Sequence, residues 1–226
     1  MLLAPFGAKG DNRTEDTAAV RAALRACAPG GVVLLPAGHV FLLRPLELPS
    51  HVELRVEGDI QAWTNIETWP NSTHRRCPVT AYETADPVDV PKKESLLSTV
   101  NSTGVTVSGG GTIFGGGERW WPLWKNTKNN YWHNCRPSIM EFGIGLAQPG
   151  QQGTNTDVRV TGVTLDSSPF WSFVARGARN LVIDRVSITT PSCAGGRNKG
   201  YAAAPNTDGF NIVRPRYRWH LGPSVC

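Results

Sequence analysis

Short runs of alternating apolar and polar residues recur along the chain: Val52-Glu53-Leu54-Arg55-Val56, Val105-Thr106-Val107, Val158-Arg159-Val160 and Leu181-Val182-Ile183. A period of two puts one face of each run in a core and the other toward solvent, so these segments are predicted strands. The last three are each followed at once by a second short strand, Thr112-Ile113-Phe114, Val163-Thr164-Leu165 and Val186-Ser187-Ile188. The last two pairs lie one repeat apart, within the roughly 20 to 50 residues typical of a solenoid coil. The earlier pairs are spaced more widely, which predicts insertions between coils.

One segment has a helical period. Val20, Ala23, Leu24 and Cys27 form an apolar stripe; Thr14-Glu15-Asp16 ahead of it supplies a capping residue and an acidic first turn, and Arg21 and Arg25 suit the far end of the helix dipole. Pro29-Gly30-Gly31 ends it, and Val32-Val33-Leu34-Leu35 reads as a buried strand closed by the turn Pro36-Ala37-Gly38. A helix capping one end of a stack of strands fits both. The stretches from Trp63 to Leu97 and from Gly115 to Pro137, the second carrying Trp120, Trp121, Trp124, Tyr131 and Trp132, are expected to be long loops outside the stack.

Composition agrees. The chain has 24 Gly, 17 Pro and 8 Trp with 18% charged residues, a balance that favours turn-rich β structure. At 226 residues and 40% hydrophobic content it can bury a core. The net charge of +5 is compatible with an acidic polymer, but no Lys/Arg run interleaved with aromatics marks a nucleic-acid groove, and Arg214, Arg216 and Arg218 concentrate charge near the end. The five cysteines are widely spaced with no C-x-x-C pair, and an odd count leaves at least one unpaired within the chain. Asn12-Arg13-Thr14, Asn71-Ser72-Thr73 and Asn101-Ser102-Thr103 are glycan acceptor tripeptides, which leans toward secretion. The first residues form no signal peptide, so an export signal is expected to lie outside this chain. The apolar run Val32 to Leu43 is interrupted by Pro36 and Gly38 and is too short to span a bilayer.

Several motifs then occur in a telling order: Phe6-Gly7-Ala8-Lys9-Gly10-Asp11, Gly109-Gly110-Gly111-Thr112-Ile113, Trp120-Trp121, Arg136-Pro137, Ser168-Pro169-Phe170-Trp171 and Pro205-Asn206-Thr207-Asp208-Gly209. In this order they resemble the family 28 glycoside hydrolases, the polygalacturonase or pectinase family, from about Phe6 to Val213. The resemblance implies an all-β fold, a right-handed parallel β-helix of the pectin-lyase-like kind with an N-terminal capping helix. It further implies a monomeric secreted enzyme that hydrolyses α-1,4-galacturonosidic bonds of pectic polysaccharide with inversion, without cofactor or metal and without nucleic-acid or membrane partners.

Glycoside hydrolysis needs one carboxylic acid to protonate the leaving oxygen and a second carboxylate to activate water. By resemblance Asp208 is a base-side residue that positions and deprotonates that water. Asn206 is a neutral hydrogen-bonding support for the site or the sugar, since an amide donates and accepts without changing the charge. Read without the neighbouring motifs, Asn206-Thr207-Asp208-Gly209 would be an ordinary turn.

After this tetrapeptide the family pattern continues with a Gly-Asp-Asp segment, a Gly-His-Gly and an Arg-x-Lys that grips the uronate, and none of them follows Asp208 in this sequence. Residues 1–213 therefore read as a partial β-helix domain and 214–226 as a divergent basic tail in which strand periodicity stops, as in a chain cut short at its C-terminus and inactive as it stands. A non-catalytic pectin-binding protein or a structural β-helix is the alternative. Trp120, Trp121, Trp124 and Trp132 could be sugar-stacking platforms or loop packing, whereas Trp171 belongs to the core or its edge. His74, Cys77, His133 and Cys135 have zinc-compatible ligand types, but their spacing fits no standard site, and cysteine pairing across the two loops, or no contact at all, is the better expectation.

Overall fold

The computed structural model describes residues 4–80, 87–124, 134–144, 155–190, 204–213 and 220–221. Strand β1 (Asp11–Glu15) leads into helix α1 (Thr17–Cys27), and three strands then make the first coil: β2 (Gly31–Leu35), β3 (Val40–Leu43) and β4 (Leu46–Glu47). The second coil is β5 (Val52–Val56), β6 (Asp59–Ala62), an inserted hairpin of β7 (Asn71–Thr80) and β8 (Pro87–Lys93), and β9 (Leu97–Val100). The third is β10 (Val105–Gly109), β11 (Thr112–Phe114), the short helix α2 (Trp121–Trp124) and β12 (Met140–Ile144). The fourth is β13 (Thr156–Thr161), β14 (Thr164–Asp166) and β15 (Phe173–Arg176). The fifth is β16 (Arg179–Asp184), β17 (Ser187–Thr189) and β18 (Phe210–Val213), after which β19 (His220–Leu221) adds to β16.

Corresponding strands pair in parallel, giving three sheets: β2-β5-β10-β13-β16-β19, β1-β3-β6-β11-β14-β17 and β4-β9-β12-β15-β18. This is an all-β parallel β-helix. Registry explains the sequence pattern, because equivalent inward residues stack from coil to coil. Val33, Leu54, Val107, Val160 and Ile183 form one column, and Phe41, Ile60, Ile113, Leu165 and Ile188 a second. Leu46, Leu97, Met140, Phe173 and Phe210 form a third. All but Phe210, which packs against the core while partly buried, belong to it, and the burial of aligned apolar surface drives the stacking.

The Gly109-Gly110-Gly111 turn shows why a side chain is excluded at one corner. A Cβ on Gly109 would lie 1.9 Å from the Val56 carbonyl oxygen, and one on Gly111 1.8 Å from that of Gly58. Gly109 also has φ +121°, which an L side chain rarely adopts. The coil-to-coil spacing at this corner depends on backbone lying directly on backbone.

Several expectations change. Helix α1 has the predicted stripe, with Val20, Ala23 and Leu24 buried, but Asp16 at its N-cap makes no side-chain capping bond. Its carboxylate accepts instead from the Lys9 and Gly10 amides at 2.8 and 2.9 Å, pinning the incoming chain, while Glu15 accepts from the Thr17 amide. The third strand of the second, third and fourth coils escapes the alternation pattern because its outward position is covered as well: Ser98, Glu141 and Val174, which share one register, are all buried. The cover over Glu141 comes from the hairpin β7–β8, inside a stretch expected to be loop. Trp69 and Trp120, from the two expected loops, meet edge to face at 5.7 Å in the core. Strand pairing also resumes within the tail at His220–Leu221.

Candidate functional site

Asp208 precedes β18 in the turn 204–209. The Thr207 hydroxyl closes that turn by donating to the Ala204 carbonyl at 3.0 Å, and Asn206 sits in the left-handed region at φ +58°, which asparagine tolerates better than most residues. On the other side, Ser172 N donates to Asp208 O at 2.8 Å and Phe173 N to Gly209 O at 3.0 Å. The turn is thus laid against the Phe170-Trp171-Ser172 segment of the preceding coil, and the Asp208 side chain stays exposed.

Beneath the turn lies Arg136, fully buried. Its guanidinium donates to the Pro169 carbonyl, to the Pro205 carbonyl at 3.1 Å and to Asn206 Oδ1 at 2.8 Å, and its charge stands 5.4 Å from the Phe170 ring centroid. Three motifs that are far apart in sequence, Arg136-Pro137, Ser168-Pro169-Phe170-Trp171 and Asn206-Thr207-Asp208-Gly209, meet on this one side chain. A planar fork with five donors suits several fixed acceptors at once.

A second polar cluster lies on the outer face of the same sheet. Glu141, from β12, is approached by Arg75 Nε at 2.9 Å, Lys92 Nζ at 3.3 Å and Arg176 Nε at 3.5 Å, and it accepts from the Ser95 hydroxyl at 2.9 Å. Burial pushes the Glu141 carboxyl up, but the charges of Lys92, Arg75 and Arg176 and the Ser95 bond outweigh it and hold the group at about 2. Burial in turn drives Lys92 down, and the neighbouring arginines add to this against the pull of Glu141. Glu141 is therefore an ionised counter-charge. It cannot serve as the proton donor of a glycosidase, which needs a carboxyl held protonated.

The sequence reading named Asp208 and Asn206. The structure puts both in one turn and commits the Asn206 carbonyl oxygen to Arg136. It gives Arg136 an anchoring position that the motif alone does not suggest, and it assembles the Glu141 cluster, for which Met140-Glu141-Phe142 gave only the misleading signal of a strand with one solvent-facing charge. Trp120 and Trp121 are buried, and the Trp121 indole donates to the Ser168 carbonyl at 3.1 Å, so they are packing residues. Trp132, Tyr131 and His133 lie outside the described residues. Trp171 is half-buried at the edge, stacked on Phe170 at 4.6 Å. Cys77 and Cys135 form a disulfide, which removes both thiols from any zinc site and ties the hairpin to the segment before β12. Cys193 and Cys226 lie outside the described residues. Among the described residues no helix is long and apolar enough to cross a membrane. A cavity of about 440 Å³ beside α1, β4 and β9 contains neither Asn206 nor Asp208.

Fold and site together define a parallel β-helix with an acidic turn locked onto one sheet by a buried arginine. The chain belongs to glycosyl hydrolases family 28, whose model matches residues 33–217. It is 28% identical over 217 residues to a "Probable polygalacturonase" of Vitis vinifera, covering 92% of this chain and 38% of the relative. It is 25% identical over 214 residues to a "Probable endo-xylogalacturonan hydrolase A" of Aspergillus niger, covering 93% and 43%. A family 28 exopolygalacturonase of Yersinia enterocolitica superposes with a TM-score of 0.70 at 17% identity, over 95% of this chain and 41% of that one. The chain thus spans about two fifths of the length of these relatives.

Proposed function

We propose that this chain carries the base-side half of a polygalacturonase-like site acting with inversion on the α-1,4-galacturonosidic bonds of pectin. The observation that carries the reading is the junction at Arg136, which fixes the turn bearing an exposed Asp208. In that position Asp208 orients a water and takes its proton as the water attacks the anomeric carbon, while a second carboxyl, opposite and roughly 6.5 to 9.5 Å away, protonates the departing oxygen. Asn206 supports the turn through its bond to Arg136.

No second carboxyl in the described site fits the acid role, because Glu141 is held ionised by three cations. Residues 1–226 alone are accordingly a pectin-binding body without appreciable turnover, which accommodates the non-catalytic reading for this stretch of chain. Secretion is part of the proposal, supported by the disulfide and by the exposure of Asn12, Asn71 and Asn101 in their acceptor tripeptides.

The test pairs binding with turnover. The 226-residue chain is expected to be retained on immobilised polygalacturonate but not on neutral galactan, and to release reducing ends from polygalacturonate only at background rate. Equal retention on both supports, or on neither, overturns the pectic reading. Enzyme-like release overturns the half-site reading.

A further inference from the structure

We infer, on the secretion reading above and independently of the pectic one, that Asn12 carries an N-linked glycan whose first sugar ring seats against Trp63.

Asn12-Arg13-Thr14 is one of the three acceptor tripeptides, and it lies on the irregular stretch of β1 where pairing with β3 skips from Asp11 to Glu15. The backbone there forms a tight turn. Asp11 accepts from the Arg13 amide at 2.9 Å and the Thr14 amide at 2.7 Å, and Asn12 between them takes φ +56°. Asn12, Arg13 and Thr14 are all exposed, so a sugar on Asn12 Nδ2 displaces nothing from the core.

Asn12 and Trp63 line one cavity of about 490 Å³ on the outward side of β3 and β6, together with Leu42, Gln61, Thr64 and Arg119. The half-buried Trp63 is already fixed in place. Its indole donates to Thr68 Oγ1 at 3.1 Å, and the Arg44 guanidinium, which donates to the Thr68 carbonyl at 3.0 Å, stands 4.5 Å from its ring centroid. A ring held this way loses little freedom when a pyranose packs on it. Gln61, Thr64 and Arg119 bring donors and acceptors to the same hollow, which suits the hydroxyls and acetamide of N-acetylglucosamine. The other two acceptors have no such seat among the described residues. Asn71 lines the cavity beside α1, whose described walls hold no aromatic residue, and Asn101 lines neither cavity.

The sugar donor is an oligosaccharide carried on a lipid diphosphate, as a eukaryotic secretory compartment supplies. Asn12 Nδ2 bonds to the anomeric carbon while that carbon's bond to the diphosphate oxygen breaks. The lipid diphosphate leaves with the electron pair, and one amide proton passes to a base of the transferring enzyme.

The test compares the 226-residue chain sent through a eukaryotic secretory host behind a cleavable signal with the same chain from a bacterial periplasm, where the disulfide forms without glycans. Peptide mass analysis of secreted and cell-retained protein from the first host is expected to find Asn12 modified. Asn12→Gln is expected to lower the thermal midpoint by about 2–4 °C more in the glycosylated protein than in the bacterial one, where it reports only the cost of Gln at φ +56°. Trp63→Leu, which keeps apolar volume, is expected to abolish that extra loss, whereas Trp63→Tyr, which keeps a ring, is expected to retain most of it. Any extra loss from Asn71→Gln is expected to be the same with Trp63 or Leu at that position. Unmodified Asn12 overturns the inference, and a modified Asn12 whose extra loss survives Trp63→Leu overturns the seat. Protein modified at Asn12 yet retained in the cell counts against the secretion reading alone.

Discussion

The guanidinium of Arg136, buried beneath the turn, donates to Asn206 Oδ1 at 2.8 Å and holds the backbone two residues before the exposed Asp208. The exposed carboxylate is thus positioned by a charge that never reaches solvent.

Arg136→Met keeps much of the aliphatic volume but orphans the Pro169 and Pro205 carbonyls and Asn206 Oδ1. Each unsatisfied buried acceptor costs about 1–3 kcal/mol, so a loss of roughly 3 kcal/mol is expected in urea unfolding. Asp208→Asn, at an exposed position, is expected to change stability by no more than about 0.5 kcal/mol. Equal losses from the two substitutions would contradict the anchoring relationship.

Acid sensitivity follows from Glu141. Its folded-state value of about 2 lies below the ordinary 4.5, so its contribution is fully present above about pH 4.5 and fades as pH falls toward 2. The shift corresponds to about 3 kcal/mol. Unfolding free energy measured from pH 6 down to pH 2 is expected to drop through this window in the wild type and to drop less in Glu141→Gln. At neutral pH the variant is expected to be less stable by roughly 3–5 kcal/mol, because its three cations lose their counter-charge. An unaltered acid profile in the variant would count against this assignment.

The Cys77–Cys135 bond closes a loop of 58 residues. Chain-entropy arithmetic for that length gives roughly 4 kcal/mol, so Cys77→Ser with Cys135→Ser is expected to lower the unfolding midpoint markedly. The same result is expected when the wild type is reduced with dithiothreitol. A midpoint insensitive to both would show that the hairpin is held by its other contacts.

Gly109→Ala meets both the 1.9 Å approach to the Val56 carbonyl oxygen and φ +121°. Backbone would have to shift between two coils, and a loss of at least about 2 kcal/mol in thermal unfolding is expected. Gly38→Ala, with φ +80° but nothing within 4 Å, is a control for backbone strain alone and is expected to cost less.

Much of the scaffold was legible from order along the chain. The alternation in β5, β10, β13 and β16 fixed their inward residues, and the stripe Val20-Ala23-Leu24 fixed the buried face of α1, because a side chain's face follows directly from the local backbone period. The ordered motifs carried the family and singled out Asp208.

The third sheet was not legible, since β15 carries the apolar Val174 at its outward position, and hairpin β7–β8 buries the outward Glu141 of β12, which local alternation alone would place in solvent. Nor was the partnership of Arg136 with Asn206, separated by 70 residues, or the gathering of Arg75, Lys92 and Arg176 on Glu141. Local period and propensity decide which residues face inward. Which distant residues become neighbours is decided by coil registry and by where the insertions fold back, and only the assembled helix contains that information.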